Sequence, residues 1–117
     1  MPKGYFLSAH RSPANPEKRQ AYLELALPAI IKAGGKVIAS TSAVVAHENG
    51  ASEQTVLIEF ESLDKAVAAY QSADYKEALK ALDGGADRDV RISKVFSQLD
   101  TRLTALTMQI WQIRRHS

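Results

Sequence analysis

The sequence predicts an α+β domain: a ferredoxin-like β-α-β-β-α-β sandwich that pairs through its sheet as a dimeric α/β barrel, with an extra C-terminal helix. Three observations predict it. Apolar residues follow a strand period in four segments and a helical period in the two regions between them. Gly34-Gly35 and Gly84-Gly85 close the two helical regions, where a positive φ is wanted. The strand segments carry apolar groups on both parities, so both faces of the sheet need cover.

The elements follow in order. Residues 4–10 set Tyr5, Leu7 and Ala9 against Phe6, Ser8 and His10, the pattern of a strand covered on both faces. Ser12-Pro13-Ala14-Asn15-Pro16-Glu17 breaks the strand and opens a helix. Asn15 offers its side-chain oxygen to orphan amides as N-cap, and Pro16 fits the first helical position, where an amide has no partner to lose. Tyr22, Leu25, Ala26, Ala29, Ile30 and Ala33 make the apolar stripe of this helix, and Pro28 is expected to kink it by removing one backbone bond.

Lys36 to Ala46 and Gln54 to Phe60 read as the two strands of a β-hairpin, with Asn49-Gly50 favouring the reversal between them. Ser62 caps the next helix, whose stripe is Leu63, Ala66, Val67 and Tyr70. A break at Ser72-Ala73-Asp74 leads to a further helical segment with Tyr75, Ala78, Leu79 and Leu82 on one side. Val90 to Phe96 supplies the last strand, which completes the split βαβ order. Beyond it Leu99, Leu103, Leu106, Ile110 and Ile113 recur at helical spacing beside Trp111. This stripe predicts an amphipathic helix packed across the dimer, with a strand as the weaker alternative. Residues 1–97 thus form the ferredoxin-like domain, and 98–117 a helical extension of it.

A chain of 117 residues suits one core. The absence of cysteine removes disulfides, thiolate metal sites and a Cys nucleophile together, which suits a cytoplasmic protein. The N-terminal apolar run is too short for a signal peptide, and no run is long enough to span a membrane. The net charge of +2 gives little steering, and Asp87, Asp89 and Asp100 interrupt the basic stretch from Arg88 to Arg115. The stretch reads as a solvated edge and tail rather than a nucleic-acid footprint. No nucleic-acid or membrane partner is expected.

The segments Gly34-Gly35-Lys36-Val37-Ile38-Ala39, Val56 to Ser62, Ala66 to Tyr70 and Ser72-Ala73-Asp74-Tyr75-Lys76 resemble the family catalogued as domain of unknown function 1330. The resemblance runs from Gly4 to about Phe96. It implies the dimeric α/β-barrel fold and no particular activity. The chain departs from it in two places: Leu79-Lys80-Ala81-Leu82-Asp83 lacks an Arg that relatives carry after the Ser-x-x-Tyr helix start, and residues 97–117 extend past the family's usual end.

The candidate site residues are His10, Glu59, Tyr70 and Tyr75, with His10 and Glu59 the candidates for catalysis. His10 stands at a strand end and titrates near neutrality, as a general base should. Glu59 lies between Ile58 and Phe60, so it either faces a polar cavity or meets a cation across an interface. Tyr70 and Tyr75 sit on helix stripes where a ring is core and its hydroxyl can reach a cavity. Ser8, His10 and Glu59 are the only trio for a nucleophilic triad, and no nucleophile elbow surrounds Ser8. His10, His47 and His116 show no ligand spacing for a metal, and both glycine pairs follow helices, the wrong end for phosphate. No cofactor is expected. Two functions are consistent with this: a homodimer that binds or transforms a small molecule in a cleft between sheet and helices, or a structural and interaction homodimer in which the same residues only satisfy contacts.

Overall fold

The computed structural model describes residues 2–96, in which the chain runs β1 (Gly4–His10), α1 (Pro16–Lys32), β2 (Lys36–Thr41), β3 (Thr55–Phe60), α2 (Leu63–Gln71), α3 (Ala73–Leu82) and β4 (Arg88–Lys94). The four strands form one sheet of order β2-β3-β1-β4, antiparallel at every pairing. The ferredoxin-like α+β class read from the sequence is the observed one. The C-terminal helix expected over Leu99 to Ile113 lies outside the described residues.

Local chemistry sets the helix boundaries. The Asn15 side chain accepts from the Lys18 amide at 3.0 Å, with Pro16 first in α1. α1 closes in a Schellman arrangement: the Gly34 amide donates to Ile31 and the Gly35 amide to Ile30, with Gly34 at φ 89°. The helix continues through Pro28 as one element. Ser72 serves both sides of the break between α2 and α3, its hydroxyl donating to the Ala69 carbonyl at 2.8 Å and accepting from the Tyr75 amide at 3.2 Å.

Directly opposed residues in an antiparallel pair share a face, so the register sorts the sheet. Gly4, Phe6, Ser8 and His10 of β1 oppose Phe60, Ile58 and Val56 of β3 and Ile92, Val90 and Arg88 of β4 on the helix side. Tyr5, Leu7 and Ala9 oppose Glu59, Leu57 and Thr55, and also Ser93, Arg91 and Asp89, on the open side. Phe6, Ile58 and Phe60 meet Tyr22, Ala26, Ile30, Ala66, Tyr75, Ala78 and Leu82 in one core. The fully buried alanines at 66 and 78 let the helices approach closely. Leu7, by contrast, is 37% exposed on the open side.

Four sequence readings need correction. β2 ends at Thr41 rather than Ala46, because the Thr41 hydroxyl accepts the Ala43 amide at 2.9 Å and turns the chain aside. Val45, at 84% exposure, has no face to bury. The Asn49-Gly50 turn does form, with the Gly50 amide donating to His47, but it sits within a longer connection between β2 and β3. β4 spans Arg88–Lys94 instead of Val90 to Phe96, because pairing with β1 begins at His10 opposite Arg88. On α1, Leu25 is exposed, and Leu23 packs against the core in its place.

Candidate functional site

α1 packs most extensively on α3, and between α1 and the sheet lies a cavity of about 440 Å³. Helical spacing aims Arg19, Tyr22, Leu23, Ala26, Leu27 and Ile30 into it, while the floor comes from Ser8 and His10 of β1, Val56 and Ile58 of β3, Val37 and Ser40 of β2 and Arg88 of β4. The cavity reaches the exposed edge strand β2 through Val37 and Ser40. Its two ends differ because α1 runs against β1. Leu27, Ile30, Val37 and Ile58 make an apolar end, and Arg19, His10, Gln54 and Arg88 make a polar one.

The polar end is organised around Arg88. Its Nη1 donates to the Tyr22 hydroxyl at 3.2 Å and reaches the Ser8 hydroxyl at 3.5 Å, and its guanidinium carbon stands 5.0 Å from the Tyr22 ring centroid. The Tyr22 and Tyr75 hydroxyls are 2.6 Å apart. Burial raises the Tyr75 pKa well above the usual phenol value, with Tyr22 adding to the effect. Burial also works against the Arg88 charge, but the two phenols more than offset it, so the guanidinium stays protonated. Among the described residues neither Arg19 nor Arg88 forms a salt bridge.

His10 is 6% exposed and lines this end. Burial, then the charges of Arg88 and Arg19, hold its imidazole below the ordinary value, against a small opposing influence of Glu53. It is therefore neutral at pH 7. Among the described residues no side chain hydrogen-bonds its ring, so a neutral imidazole faces the cavity with a lone pair free to accept a proton.

The four sequence candidates do not converge. His10 lines the cavity. Tyr75 stands behind it, connected through Tyr22. Tyr70 belongs to the aromatic core, its ring centroid 5.2 Å from that of Tyr75 and 6.0 Å from that of Phe6, and does not line the cavity. Glu59 is on the open side of the sheet, where it accepts from Lys3 Nζ at 2.8 Å and from the Tyr5 hydroxyl at 3.0 Å. Those two hydrogen bonds, Lys3 foremost, hold its carboxyl below the usual carboxylate range. With the sheet between Glu59 and His10, the Ser8, His10 and Glu59 triad cannot assemble within the chain. Among the described residues no three His, Cys, Asp or Glu side chains form a group that could hold a metal ion, and no helix is long and apolar enough to cross a membrane.

Arg88, Arg19, Tyr22 and Gln54 are the site residues that sequence reasoning missed. In the sequence Arg88 reads as part of a solvated basic edge. A usable signal existed, since Arg88 shares the parity of Val90 and Ile92 and would enter the covered face if the strand began two residues earlier.

The family description "domain of unknown function (DUF1330)" matches residues 3–96. The chain belongs to the DUF1330 family. None of the curated proteins matches this DUF1330 chain in sequence. It is similar in structure to RPA0582, a protein of unknown function from Rhodopseudomonas palustris, with a TM-score of 0.62 and 19% identity over 82% of this chain and 84% of that one. It is also similar to SnoaB, a cofactor-independent oxygenase from Streptomyces nogalater, with a TM-score of 0.56 and 12% identity over 86% of this chain and 99% of that one. At such identities the likeness establishes the ferredoxin-like fold shared with these proteins and leaves the chemistry to the site itself.

Proposed function

We propose that this DUF1330 chain is a small-molecule-binding, enzyme-like protein whose ligand occupies the cavity between α1 and the sheet. The observation that carries the reading is a cavity of about 440 Å³, apolar at one end, with the unbonded imidazole of His10 at the other. Sites for small ligands are concave, mostly apolar and furnished with a few convergent polar groups. In this reading His10 is the proton acceptor for any chemistry done there. A cofactor-independent oxygenase of the same fold is compatible with a site built from side chains alone. The chain acts as a cytoplasmic homodimer, in keeping with a cysteine-free sequence and with the apolar Leu7 and Leu57 on the open side of the sheet. Light scattering should give twice the chain mass at micromolar concentration, and a stable monomer would contradict the pairing.

The structural homodimer is the second reading, favoured by the Glu59–Lys3 pair, which satisfies that carboxylate without any ligand. The two separate by titration of the full chain with N-phenyl-1-naphthylamine, a neutral dye that brightens in apolar surroundings. Saturable binding is expected. Ser40→Trp, at an exposed position on β2 that lines the cavity, should block it at little cost to the fold. Glu59→Gln, on the other face, should leave it unchanged. Absence of saturable binding, or binding indifferent to Ser40→Trp, would favour the structural reading.

A further inference from the structure

We propose that the cavity selects an organic anion, its acid group on the guanidinium groups of Arg88 and Arg19 beside His10 and its apolar body along Leu27, Ile30 and Ile58. The inference rests on the cavity being a ligand site and adds the class of ligand.

Charge is the first ground. Two guanidiniums line the polar end of the cavity, and among the described residues no carboxylate pairs with either. Glu53 borders the adjoining shallow pocket with His10 and Arg19 but stands beyond ion-pair distance of both arginines. Asp89, the carboxylate next along β4, is on the open face and pairs with Arg11 and Arg91. Drawing a charge out of water is unfavourable unless something compensates it. The Tyr22 ring and hydroxyl stabilise the buried Arg88 as dipoles and place no acid group opposite it.

Donor supply is the second ground. Among the described residues Arg88 uses Nη1 alone, leaving Nε and Nη2 unbonded, and Arg19 makes no side-chain hydrogen bond. The Tyr22 and Ser8 contacts fix the Arg88 fork in place, so it meets a planar acid without further ordering. A cationic ligand would be repelled here, and a neutral one would leave both guanidiniums as they are. Burial first, and then the same positive field, hold the His10 imidazole below its ordinary value, and a bound anion would favour its protonation. The acid group and a ring that takes up a proton would then lie side by side.

The test uses two dyes of one skeleton on the full chain: 8-anilinonaphthalene-1-sulfonate, and N-phenyl-1-naphthylamine, which lacks the sulfonate. The sulfonate is expected to bind at least about tenfold more tightly, the range of a hydrogen bond to a charged group. Arg88→Met should cut that preference at least about fivefold, because the fixed fork is lost and Arg19 alone is left to meet the sulfonate. If Arg88→Met fails to fold, Arg19→Gln, at a partly exposed helix position, should narrow the preference in the same direction. Equal binding of both dyes, blocked by Ser40→Trp, would overturn the anion inference and leave the cavity reading standing. A preference that survives both arginine substitutions would overturn it too. Binding of neither dye would overturn both.

Discussion

Replacing Tyr75 by alanine is expected to cost the domain about 3–5 kcal/mol, the usual loss for a buried aromatic ring cut back to a methyl group. Tyr75 is 1% exposed and sits on α3 within the core between the helices and the sheet. Its ring centroid lies 6.1 Å from that of Phe6 and 6.0 Å from that of Tyr22, both edge-on, and 5.2 Å from that of Tyr70. These are the separations at which aromatic pairs add stability beyond the area they bury. Its hydroxyl also meets that of Tyr22 at 2.6 Å. Since domains of this size are stable by about 5–15 kcal/mol in all, the loss would be a large share of the total. Tyr75→Phe keeps every ring contact and removes one hydrogen bond, so it should cost only about 1 kcal/mol. Urea unfolding midpoints of the two variants test this. Equal and small shifts would mean that Tyr75 is not the centre of the core.

Gly4→Ala should be the next most damaging change, although it adds a single carbon. A Cβ at Gly4 would stand 2.5 Å from the Ser62 carbonyl oxygen and 2.6 Å from the Leu63 Cα, both backbone atoms at the start of α2. Neither can swing aside as a side-chain tip would. Either β1 must withdraw from the sheet or α2 must shift its first turn, where the Ser62 hydroxyl accepts the Lys65 amide at 3.2 Å. Overpacking of this kind costs about 1–3 kcal/mol, and Gly4→Val should exceed it. Gly34→Ala is the comparison, because a Cβ there meets nothing within 4 Å and only the φ of 89° opposes it. Its loss should stay near 1 kcal/mol, the backbone penalty alone. Thermal unfolding of the variants gives the order, and Gly4→Ala as mild as Gly34→Ala would show that α2 yields easily.

The fold was legible because its signals are local. Asn15, Ser62 and Ser72 cap their helices, Gly34 and Gly84 take positive φ after two of them, and alternation marked the strands to within a few residues. The site was legible only in part. His10 was found because its residue type and its place at a strand end are both visible in sequence. The sequence leaves the face of Glu59 open, because flanking apolar residues look alike on a central strand whichever face the carboxylate takes. Register decides the face, and register is a tertiary fact: Glu59 opposes Tyr5, on the parity away from the helices. Arg88 was missed for the converse reason. Among Asp87, Asp89 and Arg91 it looks like solvated charge, until pairing with His10 turns it under α1.

The crystal structure of the full chain with 8-anilinonaphthalene-1-sulfonate bound would test the central claim most directly, because it shows which face of the sheet holds a ligand. The predicted result is the dye under α1, its sulfonate within hydrogen-bond distance of Arg88 or Arg19 and its rings against Leu27 and Ile30. The dye seated instead against Tyr5, Leu7 and Leu57 on the open face, with the cavity under α1 left without it, would contradict the account.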